Sequence, residues 1–377
     1  MKKILITAIA AFVLAGCVYE FTPTIEPKDT SGLVVEGDII IGDTSRISLS
    51  AVEALNVRKT KEKKVTGKVW IEDDSGKEYR PVAGGSSNSF EIDMTDASPD
   101  RSYRLKVSLD SPLAGKSKNY SSDWKEVLTA PSIDELTHTY DDSHVHLWLS
   151  LSSPGGSGCF RWDFEEIWEY HADSLATVYY DVEKDTVRSY EGAIPPLYWC
   201  WAYAGSTQAG IAIAKSTGGE KVVGYRFFDI NRRDKRMQKL YYIKLKARGI
   251  SEECYEYLHS IEVNSTSTGS LTQPDPSQIV GNIHSDDDPL EVVYGYIEVS
   301  RMASKYIYIE HLYIEDLAEP LDSQPPTGLG PMTMMEAYEY GMRPLDSPAN
   351  WVSYHCVECT SEGGTKIKPD FWPTDTK

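Results

Sequence analysis

From Leu33 onward, apolar and polar positions alternate in short runs separated by turn residues. The runs at 33–37, 47–50, 69–72, 90–92 and 103–107 each put their apolar residues on one face, the pattern of a half-buried strand. Asp74-Ser75-Gly76-Lys77 falls between two of them, where a hairpin turn belongs. About six strands in roughly a hundred residues, with turns every eight to twelve, predict an immunoglobulin-like β-sandwich over 33–130. Ala130-Pro131 closes it.

The pattern then predicts a second, larger β-sandwich-like domain over 131–377, with a few short helices. In Phe160-Arg161-Trp162-Asp163-Phe164-Glu165 the aromatics share one strand face and the charges the other, so one face is core and one is wet. Further strands are expected at 145–151, 178–182, 211–214, 222–228, 241–247, 292–299 and 306–309. Ser251 is placed as the N-cap of a helix over 252–263, with Glu252 and Glu253 in its first turn and Cys254, Leu258 and Ile261 at helical spacing. Thr333 and Glu336 form a capping-box pattern for a second helix over 334–340, which Gly341 ends. Between the helices, residues 264–288 are polar and aperiodic, a long loop. The abundance of Tyr (24) and Trp (9) supports the mainly β reading.

The first residues change the picture from fold to place. Lys2-Lys3, an apolar run too short to span a bilayer, and Leu14-Ala15-Gly16-Cys17 read as a lipoprotein signal over 1–16. Cys17 becomes the lipidated N-terminus, and 17–32, with Pro23 and Pro27, a tether. No later run reaches eighteen apolar residues, so Cys17 is the expected anchor. Losing Lys2 and Lys3 leaves 36 basic against 57 acidic residues, a charge of −21. Such a field repels nucleic acid and would steer cations, but its expected role is solubility and repulsion between neighbouring molecules on a crowded surface rather than a specific cation site.

Candidate chemistry is sparse. With Cys17 acylated, five cysteines remain. Cys356-x-x-Cys359 lies in a polar tail without the setting of a zinc ribbon or a thioredoxin-type pair, which predicts a disulfide pinning the C-terminal segment to the second domain. Cys200 or Cys254 is its expected partner, and Cys159 the free thiol. His144 and His146 share a strand face but lack a third ligand, and Asp286-Asp287-Asp288 lacks the spacing and glycine of a calcium loop, so no metal is expected. Glu165 and Glu166 point to opposite faces and cannot serve one glycosidase site. No nucleophile elbow, zincin motif or phosphate-binding loop is present, so neither catalytic residues nor a cofactor are expected. Tyr198, Trp199, Trp201 and Tyr203 cannot all face one core from an extended segment. They either anchor a ligand from the surface or cap the sandwich around a Cys200 bridge.

Several stretches together resemble one family. They are Leu33-Val34-Val35-Glu36-Gly37, Tyr120-Ser121-Ser122, Phe160-Arg161-Trp162 with Glu166, Pro276-Ser277 with Gly281-Asn282-Ile283, Gly295-Tyr296-Ile297, and Cys356-x-x-Cys359 through Pro369-Asp370-Phe371-Trp372. Their order is similar to that in Bacteroidota lipoproteins of the domain of unknown function family 4249, over nearly the whole mature chain. The resemblance implies no catalytic residues. It implies an outer-membrane lipoprotein that works beside a TonB-dependent transporter in nutrient uptake. Val18-Tyr19-Glu20-Phe21 lacks the acidic cluster of exported surface lipoproteins, so the leaflet stays open. A surface adhesin or structural envelope protein is the alternative expectation, and a secreted hydrolase a third.

Overall fold

The computed structural model describes residues 32–51, 65, 67–81, 88–110, 118–206, 212–266, 281–314 and 332–374. The signal, Cys17, the tether and Pro276-Ser277 lie outside them. The described chain is mainly β, two sandwiches with a small C-terminal annex, and its three helices are short.

In the first sandwich, one sheet runs Val293–Tyr294, Leu33–Gly37, Thr44–Ala51, Ser89–Asp93. The other runs Ile283–Ser285, Lys118–Ser122, Ser102–Leu109, Gly67–Asp73, Glu78–Tyr79. Inward positions of both, among them Val35, Ile47, Leu49, Val69, Ile71, Leu105 and Val107, form one buried core. The turn expected at 74–77 is there: the Asp73 carboxylate accepts from the Ser75 and Lys77 N–H groups, and Gly76 takes φ +84°.

Two of these strands come from far along the chain, which corrects the division at 130. Residues 281–300 were expected in the second domain, but Ile283, Val293, Ile297 and Val299 are buried in the first core. Val293 pairs in parallel with Leu33, Val299 in parallel with Ile39, and Ile283 antiparallel with Ser122. Alternation reports which face of a strand is apolar; it carries no information on which sheet receives the strand. The seam is tight. A Cβ at Gly281 would lie 1.7 Å from the Gly295 carbonyl oxygen, and Gly295 itself has φ +143° with Val35 O 2.3 Å from where its Cβ would stand. Asn282 imitates a strand neighbour, its amide donating to Ile297 O at 2.9 Å and accepting from Ile297 N at 2.8 Å.

The second sandwich faces a three-stranded sheet, Ser132–Tyr140, His144–Ser152, Lys221–Asn231, against a five-stranded one. The larger sheet runs Trp199–Gly205, Cys159–His171, Leu240–Ile250, Met302–Glu310, with Ile213–Lys215 on the start of Cys159–His171. Phe160, Trp162 and Phe164 are buried against Leu147, Leu149 and Leu151, as the alternation requires. Helix Glu252–Thr266 begins where expected: Ser251 Oγ accepts from Cys254 N, and Ser251 N–H donates to Glu298. Helix Met334–Glu339 has the full Thr333/Glu336 capping box and packs in the annex around Trp351 and Tyr180.

The polar face of Cys159–His171 is only partly wet, because at its start it meets the first sandwich. Asp38, between the strands Leu33–Gly37 and Ile39–Ile40, accepts from Arg248 Nε at 2.8 Å and Arg161 Nη1 at 3.0 Å, while Asp163 takes Arg248 Nη1 at 2.6 Å. Asp38 and Arg248 are both about 95% buried, with relative exposures of 5% each. Burial alone would raise the Asp38 carboxyl, but the Arg161 and Arg248 charges outweigh it and hold the pKa below its ordinary value.

Candidate ligand-binding cleft

Along the inner face of Cys159–His171 the alternation runs Phe160, Trp162, Phe164, Glu166, Trp168, Tyr170. A glutamate therefore occupies an inward position between two aromatics, and it is 4% exposed. A buried carboxylate needs partners. Tyr241, on the neighbouring strand, donates to Glu166 Oε1 at 2.6 Å. Arg236 Nη1 donates to the same oxygen at 3.0 Å. Burial and the Glu166 charge push the Tyr241 hydroxyl well above its usual pKa, so it stays protonated and donating.

Local chemistry puts Arg236 there. The chain leaves Lys221–Asn231 and makes a single 3-10 turn, Lys235–Met237, capped by Asp234, whose carboxylate accepts from Arg236 N at 2.9 Å and from its Nη2 at 2.8 Å. Burial works against the guanidinium charge, but Asp234 and Glu166 overcome it and raise the pKa. The guanidinium lies 5.5 Å from the Phe228 ring centre, and Phe228 packs 5.0 Å from Phe164. Together with Trp168 and the Ala204-Gly205 edge, these groups line an open cleft of roughly 410 Å³ between the two sheets. That is the size and composition of a small-molecule site: aromatic walls with a few converging polar groups at the floor.

Two other concavities are less suited to a ligand. A cleft of roughly 430 Å³ at the junction of the sandwiches is lined by Asp38, Arg161, Asp163, Arg248, Glu165 and Lys246, which are paired with one another. A pocket of roughly 220 Å³ in the annex is walled by Tyr179, Tyr190 and Tyr338, but Arg343 already stacks 4.1 Å from the Tyr338 ring centre and pairs with Glu358.

The aromatic segment forms the edge strand Trp199–Gly205. Trp199 sits beside His171 and Tyr198, with the Lys239 ammonium 4.3 Å from its ring centre; Trp201 packs with Ile167, Tyr242 and Trp372. Tyr203 is 51% exposed, and neither tryptophan lines the cleft. Cys200 points the other way and bonds Cys359. The segment is thus mainly a cap around a bridge, which is one of the two expected readings.

Of the four cysteines expected in bridges, only Cys200 and Cys359 form one; Cys254 and Cys356 are free along with Cys159. Cys254 is turned into the contact between its helix and Ile213 and Ile250, and Cys356 packs against the Ala176 and Val352 cluster. Burial raises all three thiol pKa values. The histidines share a face, but His146 Nδ1 and Nε2 are bound by Asp229 (2.9 Å) and Asp141 (3.1 Å). Among the described residues no group of three or more His, Cys, Asp and Glu could hold a metal. Asp286 pairs with Lys106 and Ser121, Asp287 accepts from Asn119 N, and Asp288 from Leu290 N, so all three brace a loop. Glu165 lies on the outer face against Lys246, away from Glu166. Glu166 was the site residue missed in the sequence; the inward slot in Phe164-Glu165-Glu166-Ile167-Trp168 was its visible signal.

The sequence profile of a domain of unknown function, DUF4249, matches residues 18–306. The chain belongs to the DUF4249 family. The DUF4249 match includes nearly all of both sandwiches and ends inside the strand Met302–Glu310, so the helix Met334–Glu339 and the Cys356-to-Trp372 ending lie beyond it. None of the curated proteins matches the chain. Among solved structures, the crystal structure of CBD12 from CALX1.2 aligns over 74% of this chain and 100% of that one at 10% identity, with a TM-score of 0.16. A likeness so low carries no argument about this DUF4249 protein.

Proposed function

We propose that this protein is a non-enzymatic, lipid-anchored protein of the outer membrane that captures a ligand and works as an accessory to a TonB-dependent transporter. The observation that carries the capture reading is the cleft itself. Its walls are aromatic, and its floor carboxylate is fixed by Tyr241 and Arg236 at 2.6 and 3.0 Å, so it is formed before any ligand arrives. Placement at the membrane rests on the Leu14-Ala15-Gly16-Cys17 signal, and among the described residues no helix is long and apolar enough to cross a bilayer. The transporter association rests on the family resemblance. The alternative role, an adhesin that presents the second sandwich on the first, has no exposed feature of comparable definition among the described residues.

Fatty-acid labelling and fractionation of cells test the anchoring on which this role depends. The native chain is expected to take label and to sediment with outer membranes, and Cys17→Ala to do neither. Label on Cys17→Ala, or a native chain found in the soluble fraction, contradicts the reading.

A further inference from the structure

We propose that the Glu166 cleft takes a small organic cation, an ammonium or guanidinium group carried on an apolar body. This deepens the ligand-capture reading and rests on it. Glu166 is nine-tenths buried, and both of its bonds from the protein arrive at Oε1. Among the described residues Oε2 accepts no bond, although Glu166 lines the cleft. An ionised carboxylate oxygen can only accept, so the group that completes it is a donor.

Charge narrows the class. Glu166 and Asp234 face one guanidinium, Arg236, and that guanidinium is committed to both of them. Among the described residues the lining holds no second basic group, so the floor there carries one negative charge in excess. An anion would find no free cationic partner there. A neutral hydroxyl would meet Oε2 but leave the excess charge uncompensated. A cation meets both, and the Trp168 wall favours it as well, because the face of an aromatic ring carries the negative part of its quadrupole. Arg236 over Phe228 already shows this pairing within the protein. At long range the chain's charge of −19 draws cations toward it.

Isothermal titration calorimetry of the soluble mature chain, made as Cys17→Ala, tests the proposal with benzylammonium chloride as probe and benzyl alcohol as its neutral counterpart. Saturable 1:1 binding of the ammonium is expected, at least about tenfold tighter than the alcohol and weaker at high salt. Glu166→Gln should lose about tenfold or more, and Trp168→Leu, which keeps apolar volume but removes the ring, should lose several-fold. Because Glu166 is buried, circular dichroism checks its variant; should that variant misfold, Asp234→Asn, which removes the excess charge at a side chain 35% exposed, takes its place and should also weaken the ammonium. Equal binding of alcohol and ammonium, absence of saturation, or variants that bind like the native chain would each overturn the assignment. The assay needs no membrane and no transporter, so its failure leaves the accessory role to its own test.

Discussion

Asp38→Ala should cost far more than its single small side chain suggests. The carboxylate accepts from two arginines, three nitrogens within 3.0 Å, and its side chain is 3% exposed. Removing it leaves Arg248, whose side chain is 6% exposed, with Asp163 as its remaining acid. Breaking one partner of a buried pair typically costs about 3–5 kcal/mol, because the other charge stays buried and unpaired. The structure supplies its own controls. Asp163 is half exposed at 50%, so Asp163→Ala should cost about 1 kcal/mol. Arg46 and Glu91 pair at the surface with exposures of 69% and 52%, and Arg46→Ala should cost at most about 0.5 kcal/mol.

Urea denaturation followed by tryptophan fluorescence gives the three values, and a double-mutant cycle with Arg248→Met isolates the pair. The double variant should be more stable than the sum of the single losses by about 2 kcal/mol or more, since it removes both buried charges together. The pKa of Asp38 is depressed in the folded state, so its contribution is present above the ordinary carboxylate range and is lost only as pH falls below it. The native and Asp38→Ala curves should therefore converge in strong acid. An Asp38→Ala loss no larger than that of Arg46→Ala, or strict additivity in the cycle, would refute a buried junction between the sandwiches.

Three further outcomes follow from the geometry. Gly281→Ala should unfold or severely destabilise the first sandwich, since its new Cβ would stand 1.7 Å from Gly295 O, whereas Gly76→Ala, whose Cβ would meet nothing within 4 Å, should cost only the strain of its φ of +84°; thermal denaturation compares them. The His146 pKa is raised by Asp229 and Asp141, so its stabilisation is complete below about pH 6.5 and disappears as pH rises through the folded value. Urea midpoints between pH 6 and 8 should slope downward in the native chain and flatten in His146→Asn; identical slopes would count against the clamp. Thiol titration of the denatured, unreduced mature protein should find Cys159, Cys254 and Cys356 reactive and Cys200 and Cys359 not. Because the bridge closes 159 residues, Cys200→Ser should destabilise by about 2–5 kcal/mol, measured by the same denaturation.

Strands and caps were legible because they are local. Phe160-Arg161-Trp162-Asp163-Phe164 declares its two faces, Thr333 and Glu336 their capping box, and Asp74-Ser75-Gly76-Lys77 its turn. The return of 281–300 was not legible, because parallel pairing of Val293 with Leu33 joins residues some 260 positions apart and leaves no mark on either segment's alternation. The same return accounts for four residues of the family resemblance: Gly281, Asn282, Gly295 and Ile297 are the seam that closes the first sandwich. The candidate site was half legible. Alternation separates Glu165 from Glu166 correctly, whereas Trp199 and Trp201 are conspicuous in composition but do not line the cleft. Their tertiary role under Trp372 and beside the Cys200 bridge depends on a C-terminal segment whose position alternation does not report.

The accessory role is tested most directly by capture from native outer membranes in mild detergent, using a tag at Lys377 and Cys17→Ala as the mislocalised control. A β-barrel transporter should be recovered in stoichiometric amount with the native chain and be absent from the control. Recovery of the native chain alone, under conditions where a known membrane complex survives, would contradict the accessory role and favour the adhesin role.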